Sequence, residues 1–466
     1  MKLILKNKKV LVVGLARSGV SAVRLLKREG AQVTVTDSAD MDKLADALSM
    51  LDDKDIRLEL GGHNINTFLN SDLIVISPGI PYRSEHLLKA KDKGIPVISE
   101  IELAYNFLKS PVIGITGTNG KSTVTMLTGE LLKAYKKNVF IGGNLGTALT
   151  DAALANKKWE QVVAEISSFQ LEAIKDFRPK IAVLMNITPD HLDRYDSMEE
   201  YVWAKKRIFE NQGREDFAIL NADDSYTPEI VKDIKSEIVL FSRLRRVDRG
   251  VYEKQGEIVT NISGKDEVVI KTDDLKIKGV HNVENAMAAI AASQLAGCPF
   301  LLMRPALKGF SGLEHRLELV RAIDGVKYIN DSKGTNVGAV VKSLAGFTEP
   351  VILIAGGLDK GSDFTPLREF VKDKVRLLIL IGKAKEKIAD SLGDLTDTIF
   401  ASSLEDAVNI ASHKAEKGDV VLLSPACASF DMFKNFEDRG RVFKEAVEKI
   451  RQKAKGERLK ASTLCL

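Results

Sequence analysis

The chain has 466 residues, a length that predicts about three domains, each large enough for its own hydrophobic core. Its 44% hydrophobic and 28% charged residues are typical of a globular protein, and a net charge of +4 gives no indication of nucleic-acid binding, although it suits anionic small substrates. Because no apolar run reaches the roughly 18 residues of a membrane helix, and Cys298, Cys427 and Cys465 fit no metal-binding spacing, we expect a cytoplasmic protein with reduced thiols that binds neither nucleic acid nor membrane.

The N-terminal segment has the pattern of a nucleotide-binding βαβ unit. A strand over 9–15 ends in a glycine turn, a helix is predicted over 18–30, and a second strand over 32–36 follows. The turn lacks the middle glycine of G-x-G-x-x-G, which lets the backbone approach a pyrophosphate, so an NAD site is disfavoured. A nucleotide-diphosphate site and a purely structural turn both stay open.

Candidate ligand residues of this segment lie where its strands end, the edge at which open α/β sheets bind ligands. A further strand over 72–79 also ends in a polar loop, and we expect a domain boundary near 110. The candidate contacts with a nucleotide diphosphate are Gly14, Leu15, Ala16, Arg17, Ser18, Asp37, Ser38, Ser77, Pro78 and Gly79.

The stretch P-V-I-G-I-T-G-T-N-G-K-S-T (111–123) carries the clearest chemistry of the chain. An apolar run predicts a buried strand, and Lys121 opens a helical pattern. Glycines let backbone N–H groups point at phosphate oxygens, the lysine neutralises phosphate charge, and a hydroxyl can reach Mg²⁺. Ile115 replaces the first glycine of G-x-x-x-x-G-K-[ST]. The candidate ATP contacts here are Gly117, Thr118, Asn119, Gly120, Lys121, Ser122 and Thr123.

Polar residues follow three more strands of the central segment, predicted at 139–141, 161–166 and 181–186. They are Asn144, Glu165, Ser167, Gln170 and His191. A carboxylate that ends a strand beside a phosphate loop is a natural Mg²⁺ ligand, which favours Glu165. His191 is either a metal ligand or a polar group that orders its loop.

Two helices and one irregular stretch complete the central segment. A helix over 201–211 carries Lys205, and Asn282 and Asn285 precede an alanine-rich helix. Asn282 is either a nucleotide contact or a helix N-cap. Short alternating strands over 235–278 indicate a peripheral insertion without chemistry of its own.

The last segment reads as a second doubly wound unit with its loops on one edge. Strands are predicted at 326–329, 351–355, 377–381 and 419–423, each followed by a polar or glycine-containing loop. Polar or charged candidates near these loops are Arg316, Asp331, Lys333, Thr335, Lys360 and Ser429, with Phe436 beyond them.

Five motifs of the central segment follow one another along the chain: G-T-N-G-K-S-T, G-N-L-G, E-I-S-S-F-Q, N-I-T-P-D-H-L-D-R-Y and Y-x-x-A-K-x-R-I-F. With these motifs the chain resembles the Mur ligase family over essentially its whole length. The resemblance implies an α/β fold of three domains: a Rossmann-like domain (1–110) that binds a UDP-linked substrate, a central P-loop ATPase-like parallel sheet with helices (111–312), and a Rossmann-like doubly wound domain (313–466) that binds an amino acid. A monomer is the default expectation.

The resemblance also implies residue roles by position. ATP contacts outside the loop would be Asn282, Asn285, Arg316 and Asp331, and further contacts with the UDP-linked substrate would be Asn144, Ser167, Gln170 and His191. Two Mg²⁺ ions would be held by Ser122, Glu165, His191 and Lys205, the last as a carbamate, which is a carboxylate-like oxygen donor. The catalytic residues would be Lys121, His191, Lys205 and Arg316.

Members of the family join an amine to a carboxylate through an acyl phosphate made with ATP. The run S-P-A-C-A-S-F-D-M-F-K-N-F-E-D-R-G (424–440) is similar to the D-glutamate-adding branch, and the chain lacks a D-N-P-R motif. The implied substrates are therefore UDP-N-acetylmuramoyl-L-alanine, ATP and D-glutamate, in peptidoglycan precursor synthesis. A pocket for two carboxylates needs cations and hydrogen-bond donors, and Lys333, Thr335, Lys360, Ser429 and Phe436 are the expected D-glutamate contacts. An ATP-binding scaffold without ligase activity, or a ligase for another amino acid or a folate, stays open.

Overall fold

The computed structural model describes residues 3–51, 55–191, 194–359 and 361–463. The chain forms two compact units, one of Met1–Ile187, Ser197–Leu275 and Val283–Phe310, the other of Thr188–Asp196, Lys276–Asn282 and Ser311–Leu466. Two β-sheets lie in the first unit and a third lies in the second. Within the described ranges, no helix has both the length and the apolar character needed to cross a membrane.

The first sheet confirms the Rossmann-like prediction. Strands β1–β5 span Lys9–Val13, Gln32–Asp37, Arg57–Leu60, Leu73–Ile76 and Val97–Ser99, and helices α1–α5 span Arg17–Arg28, Ala45–Ser49, Ile65–Leu69, Glu85–Asp92 and Glu100–Phe107. All pairs are parallel in the order β3-β2-β1-β4-β5, with the first strand central. Residues 10–13 of β1 are buried, as expected of a parallel strand covered on both faces.

The central sheet has nine strands in the order β14-β13-β12-β11-β10-β9-β6-β8-β7. Strands β6–β14 span Val112–Thr116, Val139–Gly143, Gln161–Glu165, Ile181–Leu184, Phe217–Asn221, Glu237–Ser242, Gly250–Lys254, Glu257–Thr260 and Glu267–Lys271. Helices α6–α12 span Lys121–Lys133, Leu149–Leu154, Ser168–Leu171, Met198–Lys206, Thr227–Ile230, Val280–Leu295 and Phe300–Gly309.

The central sheet is mixed, which corrects the expectation of a wholly parallel sheet. Strands β12, β13 and β14 pair antiparallel. Gln255 and Gly256, both at positive φ, form a two-residue turn between β12 and β13, and such a turn joins only antiparallel strands. Most of the stretch predicted as a peripheral insertion, residues 237–271, therefore forms one edge of the central sheet.

The third sheet follows the order β15-β16-β20-β17-β18-β19. Strands β15–β20 span Glu318–Ile323, Val326–Asn330, Val351–Gly356, Val375–Ile381, Asp397–Phe400 and Val420–Leu423, and helices α13–α17 span Val337–Ala345, Arg368–Lys374, Lys385–Leu392, Leu404–Lys414 and Phe436–Thr463. The doubly wound prediction is confirmed for β16–β20. The edge strand β15 is antiparallel, because Asp324 and Gly325, at positive φ, turn the chain directly into β16.

Candidate active site

The predicted phosphate loop connects β6 to α6. Gly117 and Gly120 have φ angles of 144° and 90°, a region that favours glycine. A Cβ atom on Gly117 would lie 2.8 Å from the Cβ of Met185, and one on Gly120 would lie 2.4 Å from Oδ1 of Asn285. Glycine is thus required at both positions, because neighbouring atoms approach closely and because the backbone conformation favours it.

Lys121, the first residue of α6, folds back over this loop. Its Nζ donates hydrogen bonds to the carbonyl oxygens of Gly117 at 2.9 Å and Thr118 at 2.8 Å. The ammonium group therefore adds its charge at the N-terminus of the helix, where the macrodipole is also positive. This is the arrangement that favours a bound phosphate.

Glu165 ends β8, which pairs parallel to β6 beside the phosphate loop. Glu165 is 3% exposed. Its Oε2 accepts a hydrogen bond from Oγ of Ser122 at 2.5 Å, and its Oε1 accepts one from Nδ2 of Asn144 at 2.9 Å. The structure thus brings together Ser122 and Glu165, both predicted as Mg²⁺ ligands, and Asn144, predicted as a contact with the UDP-linked substrate. The carboxylate and hydroxyl oxygens are of the kind that Mg²⁺ prefers.

Helix α9 delivers two further side chains to the loop. Lys205 is 2% exposed, and its Nζ donates to the carbonyl oxygen of Gly117 at 2.9 Å. The ring of Tyr201 lies 4.4 Å from the same nitrogen, and its hydroxyl is 3.1 Å from Oγ1 of Thr118. Lys205 is therefore a buried component of the loop rather than a surface lysine.

Asn186 also contacts the loop and was not predicted as a site residue. Its carbonyl oxygen accepts the N–H of Thr118 at 2.8 Å, and its side-chain Oδ1 accepts the N–H of Asn119 at 2.8 Å. Its Nδ2 donates to the carbonyl oxygen of Asn119 at 3.0 Å. The only signal in the sequence was its place at the end of a buried strand, at the start of N-I-T-P-D-H.

The first glycine loop brings several predicted residues together at the edge of its sheet. Gly14 has a φ of 91°, and its carbonyl oxygen accepts from Oγ of Ser77 at 2.8 Å. The N–H of Leu15 donates to Oδ2 of Asp37 at 2.7 Å. A Cβ on Gly19 would lie 2.1 Å from the carbonyl oxygen of Gly14, so helix α1 packs against the loop only with glycine there. Ala16, Arg17, Ser38 and Gly79 are exposed, and Ser18 and Pro78 are half-buried.

Polar contacts connect this loop and its helix to the central sheet. The guanidinium group of Arg17 donates to the carbonyl oxygen of Gly146, two residues after Asn144. Farther along α1, Ser21 accepts a hydrogen bond from Thr150, and Thr150 also donates from its backbone N–H to the buried Glu100 at 2.6 Å. Sequence reasoning missed this network because its members are distant in the chain.

Ser167 and Gln170 form a capping box at the start of α8. The side chain of Ser167 accepts the N–H of Gln170 at 3.3 Å, and Oε1 of Gln170 accepts the N–H of Ser167 at 2.9 Å. The Nε2 of Gln170 is buried and has no hydrogen-bond partner within the described part of the chain. A buried donor of this kind normally has a partner, which a bound ligand could supply.

In the second unit, Asp331 follows β16 and is buried. Its Oδ2 accepts hydrogen bonds from the hydroxyl groups of Ser343 and Ser424, both at 2.7 Å. Burial raises the pKa of Asp331, and the positive charge of Arg316 opposes that shift. Arg316 and Asp331 thus interact electrostatically, and their assignment to ATP stays a prediction.

Among the predicted D-glutamate contacts, Lys333, Thr335 and Ser429 lie in loops of the third sheet, and Phe436 begins α17. Nζ of Lys333 lies 5.2 Å from the ring centroid of Phe436, and Ser429 is buried. The fully buried guanidinium of Arg439, not predicted, donates to the carbonyl oxygens of Ser332 at 2.9 Å and Cys427 at 3.2 Å, which joins these loops. Burial lowers the pKa of Arg439 to about 10. Thr335 lies in the same loop as Lys333, and Lys360 lies outside the described residues.

The loop of His191 also belongs to the second unit. His191 has a φ of 57°, and its N–H donates to Oδ1 of Asp190 at 2.9 Å. The other oxygen of Asp190 accepts from Nδ2 of Asn336 at 2.9 Å, and Asn336 caps α13. The backbone of His191 is therefore fixed in the left-handed region, which non-glycine residues adopt rarely.

The start of α11 places Asn282 inside the helix, and its nucleotide contact stays a prediction. The helix begins at Val280, so Asn282 lies in its first turn and is not an N-cap. Its Nδ2 donates to the carbonyl oxygen of Lys278 at 2.7 Å. Burial, together with the charges of Arg316 and Lys342, lowers the pKa of the adjacent His281 to about 3, so this histidine is neutral at physiological pH.

Comparison with known proteins identifies the family. Three family descriptions match successive parts of the chain: "Mur ligase MurD-like, N-terminal domain" over 8–99, "Mur ligase middle domain" over 115–293, and "Mur ligase, glutamate ligase domain" over 315–427. The UDP-N-acetylmuramoylalanine--D-glutamate ligase of Geotalea daltonii is 51% identical over 446 residues, 96% of this chain and 98% of the relative. The chain belongs to the Mur ligase family.

Other Mur ligases extend the comparison. The proteins of the same name from Geobacter sp. strain M21 and Koribacter versatilis are 50% and 46% identical over 95% and 97% of this chain, which covers 98% and 99% of theirs. Among solved structures, a pseudomurein peptide ligase type C from Methanothermus fervidus matches with a TM-score of 0.62 at 21% identity, over 95% of this chain and all of its own. UDP-N-acetylmuramate-alanine ligase MurC from Thermotoga maritima matches with a TM-score of 0.58 at 20% identity, over 96% and 100%. The three-domain α/β fold is thus that of the Mur ligases, while the boundaries near 110 and 312 stay predictions.

Proposed function

We propose that this Mur ligase adds D-glutamate to UDP-N-acetylmuramoyl-L-alanine with ATP, as a cytoplasmic monomer in peptidoglycan precursor synthesis. The observation that carries the proposal is the 51% identity over 96% of the chain to a ligase named for that reaction. The buried charges around the phosphate loop supply the environment that such a reaction requires.

The reaction has two bond-making steps. A carboxylate oxygen of the UDP-linked substrate attacks the γ-phosphorus of ATP, the bond to ADP breaks, and an acyl phosphate forms. The amine of D-glutamate then attacks the acyl carbon, loses a proton, and inorganic phosphate leaves. Such chemistry depends on positioned cations rather than on a protein nucleophile, and Lys121, the N-terminus of α6 and Arg316 are the groups we assign to the transferring phosphoryl charge.

The loop also fits a magnesium site. Ser122 and Glu165 present hydroxyl and carboxylate oxygens in direct contact, at 2.5 Å. We assign Ser122, Glu165, His191 and a carbamylated Lys205 as the residues that would hold two Mg²⁺ ions, and bound Mg²⁺ would offset charge on the phosphates. Native mass spectrometry of active enzyme tests the carbamate, and unmodified Lys205 in that sample would remove it.

For the UDP-linked substrate, we assign the first glycine loop together with Asn144, Ser167, Gln170 and His191. The buried and unpartnered Nε2 of Gln170 supports this assignment, because a polar substrate group would satisfy it. The remaining ATP contacts that we assign are Asn282, Asn285 and Asp331.

For D-glutamate, we assign Lys333, Thr335, Lys360, Ser429 and Phe436. Two carboxylates call for cationic partners, which Lys333 and Lys360 supply. We expect Lys360→Ala to raise the KM for D-glutamate far more than the KM for ATP. Equal effects on both substrates would remove Lys360 from the amino-acid pocket.

The deciding experiment measures phosphate release from ATP with UDP-N-acetylmuramoyl-L-alanine and a panel of D- and L-amino acids. Release that depends on D-glutamate alone supports the proposal. Release with another amino acid keeps a ligase but overturns the D-glutamate pocket. Absence of release with every amino acid, in a protein that still binds ATP, would favour a scaffold that does not ligate.

A further inference from the structure

Asn186 holds both backbone polar groups of Asn119, which belong to the two successive peptide groups on either side of that residue. Its Oδ1 accepts the N–H of Asn119 at 2.8 Å, and its Nδ2 donates to the carbonyl oxygen of the same residue at 3.0 Å. Its own carbonyl oxygen accepts the N–H of Thr118 at 2.8 Å. Asn119 and Asn186 are both buried, so water does not compete strongly for these hydrogen bonds.

The fold places Asn186 at this position. Strand β9 pairs parallel to β6, and the N–H of Met185 donates to the carbonyl oxygen of Thr116 at 3.0 Å, which continues the pairing past the end of β9. The loop can pass over this segment because Gly117 has no side chain; its Cβ would lie 3.2 Å from the backbone nitrogen of Asn186. The absence of a side chain at Gly117 thus leaves the space in which Asn186 contacts the loop.

This contact determines which backbone groups of the loop can serve an anion. The N–H groups of Thr118 and Asn119 are engaged by Asn186. The first turn of α6 lies at the positive end of the helix macrodipole, where bound anions are favoured. The carbonyl oxygen of Asn119, which would repel a phosphate placed near it, is held by Nδ2 of Asn186.

We propose that Asn186 is a positioning residue for nucleotide binding: its side-chain amide fixes the backbone on both sides of Asn119 so that the first turn of α6 faces the phosphates of ATP. The inference rests on the proposed function, since it takes the loop to be the ATP site. Asn186 acts through the loop and does not itself contact the nucleotide.

The test compares two buried asparagines that make the same kind of contact. Asn261, at the edge of the central sheet, accepts the N–H of Gly250 on Oδ1 at 2.6 Å and donates from Nδ2 to the carbonyl oxygen of Val247 at 2.7 Å. Asn186→Asp and Asn261→Asp each keep an acceptor, lose a donor and add a buried negative charge. We expect both to lower Tm, because each disturbs a buried contact.

Only Asn186→Asp should weaken nucleotide binding. We expect its Kd for ADP, measured by calorimetry, and its KM for ATP to rise about tenfold or more, with the KM for D-glutamate unchanged. Asn261→Asp should bind ADP within about twofold of the unsubstituted enzyme. Asn186→Ser is neutral but too short to reach both backbone groups of Asn119, so we expect it to lower kcat/KM for ATP about tenfold or more as well. This variant provides the test if Asn186→Asp does not fold.

Two outcomes count against the inference. Wild-type affinity for ADP in the Asn186 variants, alongside a Tm loss like that of Asn261→Asp, would make the contact purely structural. Equal loss of ADP binding in the Asn186 and Asn261 variants would show a general effect of destabilisation. Failure of the unsubstituted enzyme to bind ADP would overturn the proposed function itself, which separates the two failures.

Discussion

Two glycine loops of this protein, Gly14–Gly19 and Gly117–Gly120, solve the same structural problem in different ways. Each connects a strand that has parallel neighbours on both sides to the helix that follows it, at the edge where ligands bind. In the first loop, a backbone N–H is taken by the carboxylate of Asp37. In the second, two backbone N–H groups are taken by Asn186.

The difference lies in the charged side chains around each loop. Glu165 and Lys205 are buried against the second loop, whereas Arg17 beside the first loop is exposed. Buried charges act through a lower effective dielectric and stay in place during a reaction, which suits phosphoryl transfer. Exposed charged side chains such as Arg17 are suited to binding a substrate. We therefore expect changes at the second loop to affect turnover and changes at the first to affect substrate affinity.

Of the proposed substitutions, Lys121→Ala in the second loop should have the largest effect on activity. Without the ammonium group, the transferring phosphoryl loses one of the cations assigned to it, and we expect kcat/KM to fall by at least about 10³-fold with little change in Tm. The control is Lys133→Ala at the other end of α6, where the side chain is 49% exposed and pairs with Glu130. Turnover near the unsubstituted level in Lys121→Ala would remove the assigned role.

Glu165→Gln keeps the shape of the side chain and removes its charge. We expect about a 100-fold loss of kcat and a higher Mg²⁺ concentration at half-maximal rate, because an amide is a weaker Mg²⁺ ligand than a carboxylate. Glu160→Gln, at an exposed position just before β8, is the control. An unchanged Mg²⁺ dependence would contradict the metal assignment.

Arg17→Ala tests the first loop. We expect the KM for the UDP-linked substrate to rise about tenfold, since a charge-assisted contact with a phosphate is lost, with the KM for ATP unchanged. Arg28→Ala is a close control, because Arg28 also lies on α1 and donates to a carbonyl oxygen of the central segment, that of Ala153, at 2.9 Å. If Arg17→Ala changed the KM for ATP instead, the proposed difference between the two loops would be wrong.

Glu100→Gln should have the smallest effect on activity and a visible effect on stability. Burial raises the pKa of Glu100 to about 7, although hydrogen bonds from Thr150 oppose the shift. Because the folded state holds this proton more tightly than the unfolded state, stability should fall as pH rises from about 4.5 to about 7, by at most about 3 kcal/mol. Chemical denaturation at several pH values should show this decline in the unsubstituted protein and a flatter profile in Glu100→Gln. Parallel profiles would contradict the prediction.

Local patterns made most of the fold and much of the site predictable. Each strand–loop–helix unit is encoded within about 20 residues, so Lys121, Ser122 and Glu165 could be assigned from their places at strand ends. The role of Asn186 could not, because its partner Asn119 lies 67 residues away in sequence, and that of Arg439 could not, because one of the residues it joins, Ser332, lies 107 residues away. The antiparallel edges were missed for a different reason: the Gln255-Gly256 and Asp324-Gly325 turns were present in the sequence but were not used as hairpin signals.

The make-up of the second compact unit has a consequence for recombination between Mur ligases. Its main body begins at Ser311, but Thr188–Asp196 and Lys276–Asn282 also belong to it. A chimaera that exchanged only the contiguous piece after residue 312 would separate Asn336 from its native Asp190, and Arg316 and Lys342 from His281. A functional chimaera therefore has to exchange all three segments together, because this unit is discontinuous in sequence.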